Sequence, residues 1–330
     1  MRNSSKTFTI AIVNVIILLL IIAVTWKDAK CEFIYEKSVR GASIGYGFAA
    51  LADEPAGVYY NPAGIAYLQG SQVSTMFNSI SDYGLGNSDE FPFSGDIGGY
   101  KRYDNYGSLA FNIYRMGSLS SNSAINTTNQ MILTFSRILN PWWAAGLNLK
   151  YTFESNYGNR KGADIDLGLL YDANEVVNVG FTVRNLFQTK MKPLYDGAYR
   201  YLDRIALTSL TYTTQDPWEP TVFAFALGIK QQAVVDRKIA YGLGSFGVEQ
   251  WFRYDMPFSW ILRGSYTVTK DDDVNFRQFS AGFGLRFRNG SNFWRIDYAF
   301  QKYPYDGAVP LTGNHVISLV YGFGCLDEQY

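Results

Sequence analysis

The stretch RGASIGYGFAALADEPAGVYYNPAGIAYL, residues 40–68, decides how the rest of the chain is interpreted. Its many glycines and alanines leave so little side-chain bulk that the backbone can lie close against another surface or in a confined space. Asn61-Pro62 indicates a turn, because the residue before a proline is pushed out of the helical region. We therefore predict a short irregular segment with a fixed kink.

Beyond residue 71 the chain consists of segments of about ten residues in which apolar side chains alternate with polar or small ones, the pattern of barrel strands. Residues 143–154 show the alternation best: large apolar side chains share one face, and Asn148, Lys150 and Glu154 share the other. A lysine and a glutamate on an inner face require that this face meets water or polar protein. The pattern predicts strands with one polar side.

Fourteen candidate strands can be placed in this way, an even number within the range of single-chain bacterial barrels. They lie near residues 72–80, 93–102, 106–116, 130–139, 143–154, 161–171, 176–187, 203–213, 222–232, 239–252, 258–269, 275–288, 292–301 and 314–324. The segments 203–213 and 239–252 alternate poorly. In the second, Gly242, Gly244 and Gly247 are candidates for a bulge or a kink that opens the wall laterally.

The alternative is a soluble β-sandwich or soluble barrel, in which the varied face of each strand would meet water. Here the varied face carries many Gly, Ser and Ala, and a water-exposed surface rarely prefers glycine. The chain contains 25 Tyr and 23 Phe, but only 18% of its residues are charged. Large aromatics suit lipid contact and small residues suit a plugged lumen, so we predict an all-β protein, a 14-stranded antiparallel transmembrane β-barrel.

The first 31 residues have the features of a signal peptide. An apolar run over residues 8–24 follows Arg2 and Lys6, although an uncleaved anchor helix has the same appearance. The cleavage site stays open. Cys31 and Cys325, the two cysteines, lie near the two ends, where they could pair or remain separate thiols.

Connections of two lengths separate the candidate strands. Residues 140–141, 172–175, 231–238 and 289–290 are short and are assigned to one rim, whereas 117–129, 188–202 and 301–313 are longer and are assigned to the outer rim. No second domain is apparent. Residues 71–330 are therefore predicted to form one barrel.

The composition argues against several classes of protein. The 29 basic residues balance the 29 acidic ones, so there is no electrostatic footprint for nucleic acid. The one histidine, His315, has no nucleophile that can be assigned to it, and the acidic run at residues 271–273 lacks the spacing of a calcium loop. We expect no enzyme, no metal site and no cofactor.

Charged residues of both signs fall on the predicted inner face. They are Asp164, Asp166, Arg184, Arg263, Arg286, Arg295 and Asp297. An ion-selective pore would show one dominant sign, so a network that holds a plug is the preferred interpretation. Asp53 and Glu54 are candidate partners for these arginines.

Three elements of the N-terminal stretch carry a resemblance: the small residues, the ALADE run at residues 50–54, and the VYYNPAG run at residues 58–64. Together they resemble the N-terminal hatch of the FadL superfamily of outer-membrane β-barrels, which includes long-chain fatty acid transporters and the PorV/PorQ-like and UPF0164-like barrels. The resemblance implies that residues 32–70 form a hatch folded into the barrel lumen and that the protein lies in the bacterial outer membrane. The hatch or gate residues it implies are Asp53, Glu54, Asn61, Pro62, Ala63 and Gly64.

Two functions are compatible with this resemblance. The first is uptake of hydrophobic small molecules such as long-chain fatty acids, with the hatch as a movable gate. The second is a PorV/PorQ-like role as a partner in type IX protein secretion or surface display. The longest candidate outer loop, residues 81–96, is brief and acidic, which favours the compact PorV-like branch. The expected partners are outer-membrane lipid and either a hydrophobic ligand or a protein of the secretion machinery or cell surface.

Overall fold

The computed structural model describes residues 37–81, 90–103, 107–120, 126–155, 159–172, 176–191, 200–234, 237–270, 275–302 and 313–324. The strands are β1 (Ser71–Ser81), β2 (Glu90–Tyr103), β3 (Gly107–Ser120), β4 (Asn126–Asn140), β5 (Trp143–Ser155), β6 (Lys161–Asp172), β7 (Val177–Arg184), β8 (Lys190–Met191), β9 (Arg200–Tyr201), β10 (Arg204–Thr213), β11 (Thr221–Val234), β12 (Arg237–Phe252), β13 (Phe258–Lys270), β14 (Asn275–Asn289), β15 (Asn292–Lys302) and β16 (Gly313–Phe323). The predicted signal peptide and both cysteines lie outside the described residues.

Fourteen of these strands form one closed antiparallel barrel, which confirms the predicted fold class. Each strand pairs with its neighbours in the chain, and β1 closes the barrel against β16, from Ser71 opposite Phe323 to Ser81 opposite Gly313. The strands β8 and β9 form a separate two-stranded ribbon. We call the end where β1 begins and β16 ends the terminal rim, and the opposite end the distal rim.

The outer face of the barrel is an apolar belt. Leu149 and Tyr151 are exposed on β5, while Asn148, Lys150 and Glu154 between and beside them are buried. The described tryptophans all lie close to the terminal rim, in its turns or near the strand ends that meet it: Trp142, Trp143, Trp218, Trp251, Trp260 and Trp294. Aromatic side chains of this kind mark a membrane-water boundary. Among the described residues, no helix is long and apolar enough to cross a membrane.

Residues 37–70 lie inside the barrel, and we call them the hatch. They form helix α1 (Val39–Ile44) and three short 3-10 turns, Gly45–Ala50, Pro55–Tyr59 and Gly64–Ala66. The helix begins at Ser38, whose side chain accepts a hydrogen bond from the amide of Gly41, as an N-cap residue does. Pro55 stands at the start of its turn, where a missing N–H costs nothing.

Glycines on the inner face of the barrel make room for the hatch. A Cβ placed on Gly146 of β5 would lie 2.3 Å from the carbonyl carbon of Pro62, and one on Gly247 of β12 would lie 2.1 Å from the carbonyl oxygen of Ile44. Gly168, Gly180 and Gly282 meet the hatch equally closely. The small residues predicted to suit a plugged lumen are therefore the ones that touch the plug.

Two sequence predictions about the wall are wrong. The turn within residues 231–238 joins β11 to β12 at the distal rim, with the longer connections, because strand direction alternates regardless of turn length. The strand β12 pairs with β11 and β13 without a register shift, so its glycines do not mark the predicted bulge. The register shift that the structure records lies between Ile138 and Asn140 of β4.

The wall is irregular at β7 instead. The predicted strand 176–187 ends at Arg184, and Asn185 and Gln188 follow with φ values of 51° and 49°. As a result, β6 pairs with β7 only from Leu167 to Asp172, and its distal half lacks this neighbour. On the other side of the barrel, β2 begins at Glu90, so Asp96 is a buried strand residue and not part of an outer loop.

Candidate functional site

The side chain of Asn61 holds the turn of the hatch in place. Its amide nitrogen donates to the carbonyl of Ala49 at 2.9 Å, within the hatch, and to the carbonyl of Leu169 on β6 at 3.1 Å. Its amide oxygen accepts the N–H of Ala63 at 3.0 Å. Asn61 is completely buried. The residue therefore satisfies backbone groups of the hatch and of the wall together, which a plain turn asparagine would not do.

The three residues after Asn61 are seated against the strands β4, β5 and β6. Pro62 packs on the glycines Gly146 and Gly168. The carbonyl of Ala63 accepts the hydroxyl of Ser136 on β4 at 3.1 Å. Gly64 lies so close to Ala52 that a Cβ would meet the Ala52 carbonyl oxygen at 2.5 Å. The Asn-Pro-Ala-Gly block is thus the contact between the hatch and this side of the wall.

On the opposite side, a chain of alternating charges ties the hatch to β12, β13 and β15. It contains three arginines and four carboxylates and runs in the order Asp53, Arg40, Glu249, Arg263, Asp297, Arg295, Glu54. We call it the arginine-carboxylate circuit. Because Asp53 and Glu54 are consecutive residues, the circuit closes on itself through the backbone of the hatch.

The contacts within the circuit are short, and its members other than Asp53 are buried. Arg40 contacts Asp53 at 2.5 Å and Glu249 at 2.7 Å, and Arg263 bridges Glu249 at 2.6 Å and Asp297 at 2.7 Å. Burial by itself lowers the pKa of Arg40, but Asp53 and Glu249 raise it well above its usual value, so this arginine stays charged. A paired and buried network of this kind orients the hatch strongly.

Asp53 and Glu54 have different environments within the circuit. The side chain of Glu54 is 5% exposed, pairs with Arg295 and accepts the hydroxyl of Ser38 at 2.5 Å. The side chain of Asp53 is 23% exposed and pairs with Arg40, an arginine of the hatch itself. Glu54 therefore joins hatch to wall, whereas Asp53 braces the hatch internally.

Two of the predicted inner-face arginines have no place in the circuit. Arg286 donates to the carbonyl of Tyr254 at 2.5 Å, and its guanidinium lies 4.6 Å from the ring centre of Trp251 and 4.5 Å from that of Tyr254. It is held by cation–π contacts near the terminal rim. No ion pair recorded between described residues involves Arg184, the last residue of β7.

Asp164 and Asp166 support the end of β7 and take no part in the circuit. Asp164 accepts the backbone N–H groups of Phe187 at 3.0 Å and Thr189 at 2.7 Å. Asp166 accepts the N–H of Asn185 at 2.7 Å. These carboxylates accept backbone N–H groups of the segment that follows β7, so they stabilise the point where this strand ends.

Several members of these networks were missed by sequence reasoning. Arg40 opens the quoted stretch but was given no role, and Glu249 lies in a strand whose weak alternation concealed its inner face. Lys150, which pairs with Asp166 at 2.5 Å, was recognised as inward-facing but left without a partner. Pairing across strands depends on register, which the alternation of one strand does not contain.

An apolar groove of about 490 Å³ lies beside the break in β7. Its lining includes the outward side chains of Leu133, Leu149 and Phe187. Lys150 and Asp164, whose side chains are buried on the inner face, also border it. The groove therefore lies on the lipid-facing surface, beside the segment that follows β7. Among the described residues, no group of His, Cys, Asp or Glu side chains could hold a metal ion.

No protein-family model matches the sequence, and no curated protein matches it. Similar solved structures exist. A FadL homologue from Pseudomonas aeruginosa superposes with a TM-score of 0.53 at 11% identity, over 88% of this chain and 99% of that one. A mutant of the TodX monoaromatic hydrocarbon channel gives 0.55 at 11% identity, over 87% and 98%. The CymD monoaromatic hydrocarbon channel gives 0.53 at 11% identity, over 86% and 98%.

The shared feature is the fold. At these identities the likeness shows that the chain shares the barrel fold of these channels. Together with the apolar outer belt, the fold defines the protein as a bacterial outer-membrane β-barrel.

Proposed function

We propose that this barrel takes up hydrophobic small molecules, such as long-chain fatty acids, across the outer membrane. The observation that carries the proposal is the early end of β7, beside which an apolar groove lies on the lipid face. A hydrophobic solute leaving the lumen there would enter the bilayer and avoid the water beyond the terminal rim. Two of the structural neighbours are by name channels for hydrocarbons.

In this proposal the hatch is the gate. Residues 37–70 fill the lumen, and the predicted hatch residues Asn61, Pro62, Ala63 and Gly64 press on β4 to β6, close to the end of β7. On the other side, Glu54 pairs with Arg295 of the wall, and Asp53 braces Arg40, which pairs with Glu249 of the wall. Passage would require the weaker of these two sides to move.

The test is transport through the groove. Leu149→Trp adds bulk to the groove lining without reaching the hatch, and we expect it to reduce uptake of a fluorescent long-chain fatty acid into proteoliposomes severalfold. Leu227→Trp is the matched control, since Leu227 is 73% exposed on the lipid face of β11 and does not border the groove. Equal uptake by both variants and the unmodified protein would contradict the proposal.

The alternative, a PorV/PorQ-like partner in protein secretion or surface display, is favoured by a different observation. The seven charges of the circuit hold the hatch from both of its acidic residues, as suits a permanent plug. Purifying the native protein from its own membrane and identifying what accompanies it separates the two functions. A bound hydrophobic lipid supports uptake. A polypeptide recovered in stoichiometric amount, from a protein that does not make membranes permeable to hydrophobic solutes, supports the secretion role.

A further inference from the structure

We propose that Asn148 is a positioning residue that couples the hatch to the break in β7, so that movement of the hatch loosens the wall. Asn148 lies on the inner face of β5 and is completely buried. Its amide nitrogen donates to the carbonyl of Val58 in the hatch at 2.8 Å and to Asp166 on β6 at 2.9 Å. The side-chain amide of Asn148 therefore contacts both the hatch and Asp166, the carboxylate that binds the segment after β7.

From Asp166 the contacts continue to the end of β7. Asp166 accepts the N–H of Asn185, and its other close partner, Lys150, also donates to the Asn185 side chain. The amide nitrogen of Asn185 in turn donates to the carbonyl of Asp203, just before β10 begins, at 2.5 Å. The series Val58, Asn148, Asp166 and Asn185 thus runs without a gap from the hatch to the residue at which β7 leaves the sheet.

The two contacts of Asn148 are buried and the contact of Asn185 with Asp166 is partly buried, so the loss of any of them is costly. If the hatch withdrew, one acceptor of the Asn148 amide would be lost, and the amide would be free to leave Asp166. Asp166 would then lose part of what orients it toward Asn185. A buried donor without an acceptor is expensive, so the arrangement favours a joint change over a single broken bond. Asn185 already has a positive φ, the conformation in which the chain leaves the strand.

This coupling can be measured with a spin label at the break. Phe187→Cys, in a background carrying Cys31→Ser and Cys325→Ser, places the label at a side chain that is 64% exposed. Arg295→Met loosens the hatch from β15, on the far side of the barrel. We expect Arg295→Met to raise the mobile fraction of the label severalfold. In a protein that already carries Asn148→Ala, Arg295→Met should have little further effect. Such non-additivity is the signature of coupled sites.

Two controls separate coupling from general loosening. Ser136→Ala removes another hydrogen bond between wall and hatch, to Ala63, but has no link to Asn185, so the label should not respond. A label at Leu227→Cys, on a strand outside the series, should also stay unchanged. If Asn148→Ala does not assemble, as judged by heat-modifiable gel migration, Asn148→Ser replaces it. An equal response to Arg295→Met with and without the asparagine overturns the proposal, as does an equal response to Ser136→Ala.

Discussion

Glu54 of the hatch and Arg295 of β15 form a buried ion pair between residues 241 positions apart in the sequence. Arg295 also holds Asp297 at 2.7 Å, so it stands between two carboxylates, one from the plug and one from the wall. The pair is one of two links between the hatch and the wall in the arginine-carboxylate circuit, the other being Arg40 with Glu249. Its position makes the arginine more important to the hatch than either acid taken alone.

The composition of the circuit predicts that loss of an arginine destabilises the seated hatch more than loss of a carboxylate does. It contains four carboxylates and three arginines, so Arg295→Met leaves four against two, whereas Glu54→Gln leaves three against three. We expect Arg295→Met to destabilise the seated hatch by about 3 kcal/mol, because it leaves a buried carboxylate unpaired. Glu54→Gln should cost only about 1 kcal/mol.

The measurement is limited proteolysis of the hatch in detergent, with barrel assembly followed by heat-modifiable migration. The double variant Arg295→Met with Glu54→Gln should recover part of the protection lost in Arg295→Met alone. If Glu54→Gln exposes the hatch more than Arg295→Met does, charge balance is not what seats it.

Asn61 should contribute more to the stability of the seated hatch than an asparagine in an ordinary turn would. Asn61→Ala removes its hydrogen bonds to Ala49, Leu169 and Ala63, and leaves buried backbone groups without partners. We expect a loss of 1–3 kcal/mol, on the order of the cost of unsatisfied buried groups, seen as a lower urea midpoint for hatch release. Asn140 is the control, since its side chain caps an exposed turn at the terminal rim and Asn140→Ala should leave the hatch protected.

The inner-face glycines should not tolerate a side chain. In Gly146→Ala the new methyl group would overlap the Pro62 carbonyl carbon, which we expect to cost about 1–3 kcal/mol, as overpacking does. Gly244→Ala is a matched substitution on the lipid face, where the nearest atom, of Leu227, would be 3.8 Å away. Protease access to the hatch should rise only in Gly146→Ala, and equal resistance of both variants would show that the contact is not tight.

Pro62→Ala combined with Asp53→Ala tests whether the hatch is a gate. The first change frees the preceding residue to sample helical geometry, and the second removes one of two carboxylates on Arg40. Because Asp53 is partly exposed and Arg40 keeps Glu249, the second change should cost only about 1 kcal/mol. In the uptake function, permeability to hydrophobic solutes should change while the barrel still assembles. In the secretion function permeability should hardly move, and recovery of a protein partner should fail.

The sequence alone was sufficient for the barrel and its number of strands. A strand that separates lipid from a polar interior must alternate with a period of two, and that alternation is visible in most of the segments, as Leu149 and Lys150 show. The small residues of the hatch and of the inner face also indicated a filled lumen, because close approach requires missing side chains. The end of β7 was misplaced, since the predicted strand ran to residue 187 but the chain leaves the sheet after Arg184.

The tertiary structure decided which side chains meet. The pairing of Glu54 with Arg295, the role of Glu249, and the support of Asn185 by Asp166 all join strands through register and barrel closure. Register is set by the summed packing of the whole sheet, and a one-residue slip would move each of these groups to the lipid face. No local sequence pattern carries that information, so the arginine-carboxylate circuit and the early end of β7 could be identified only from the structure of the closed barrel.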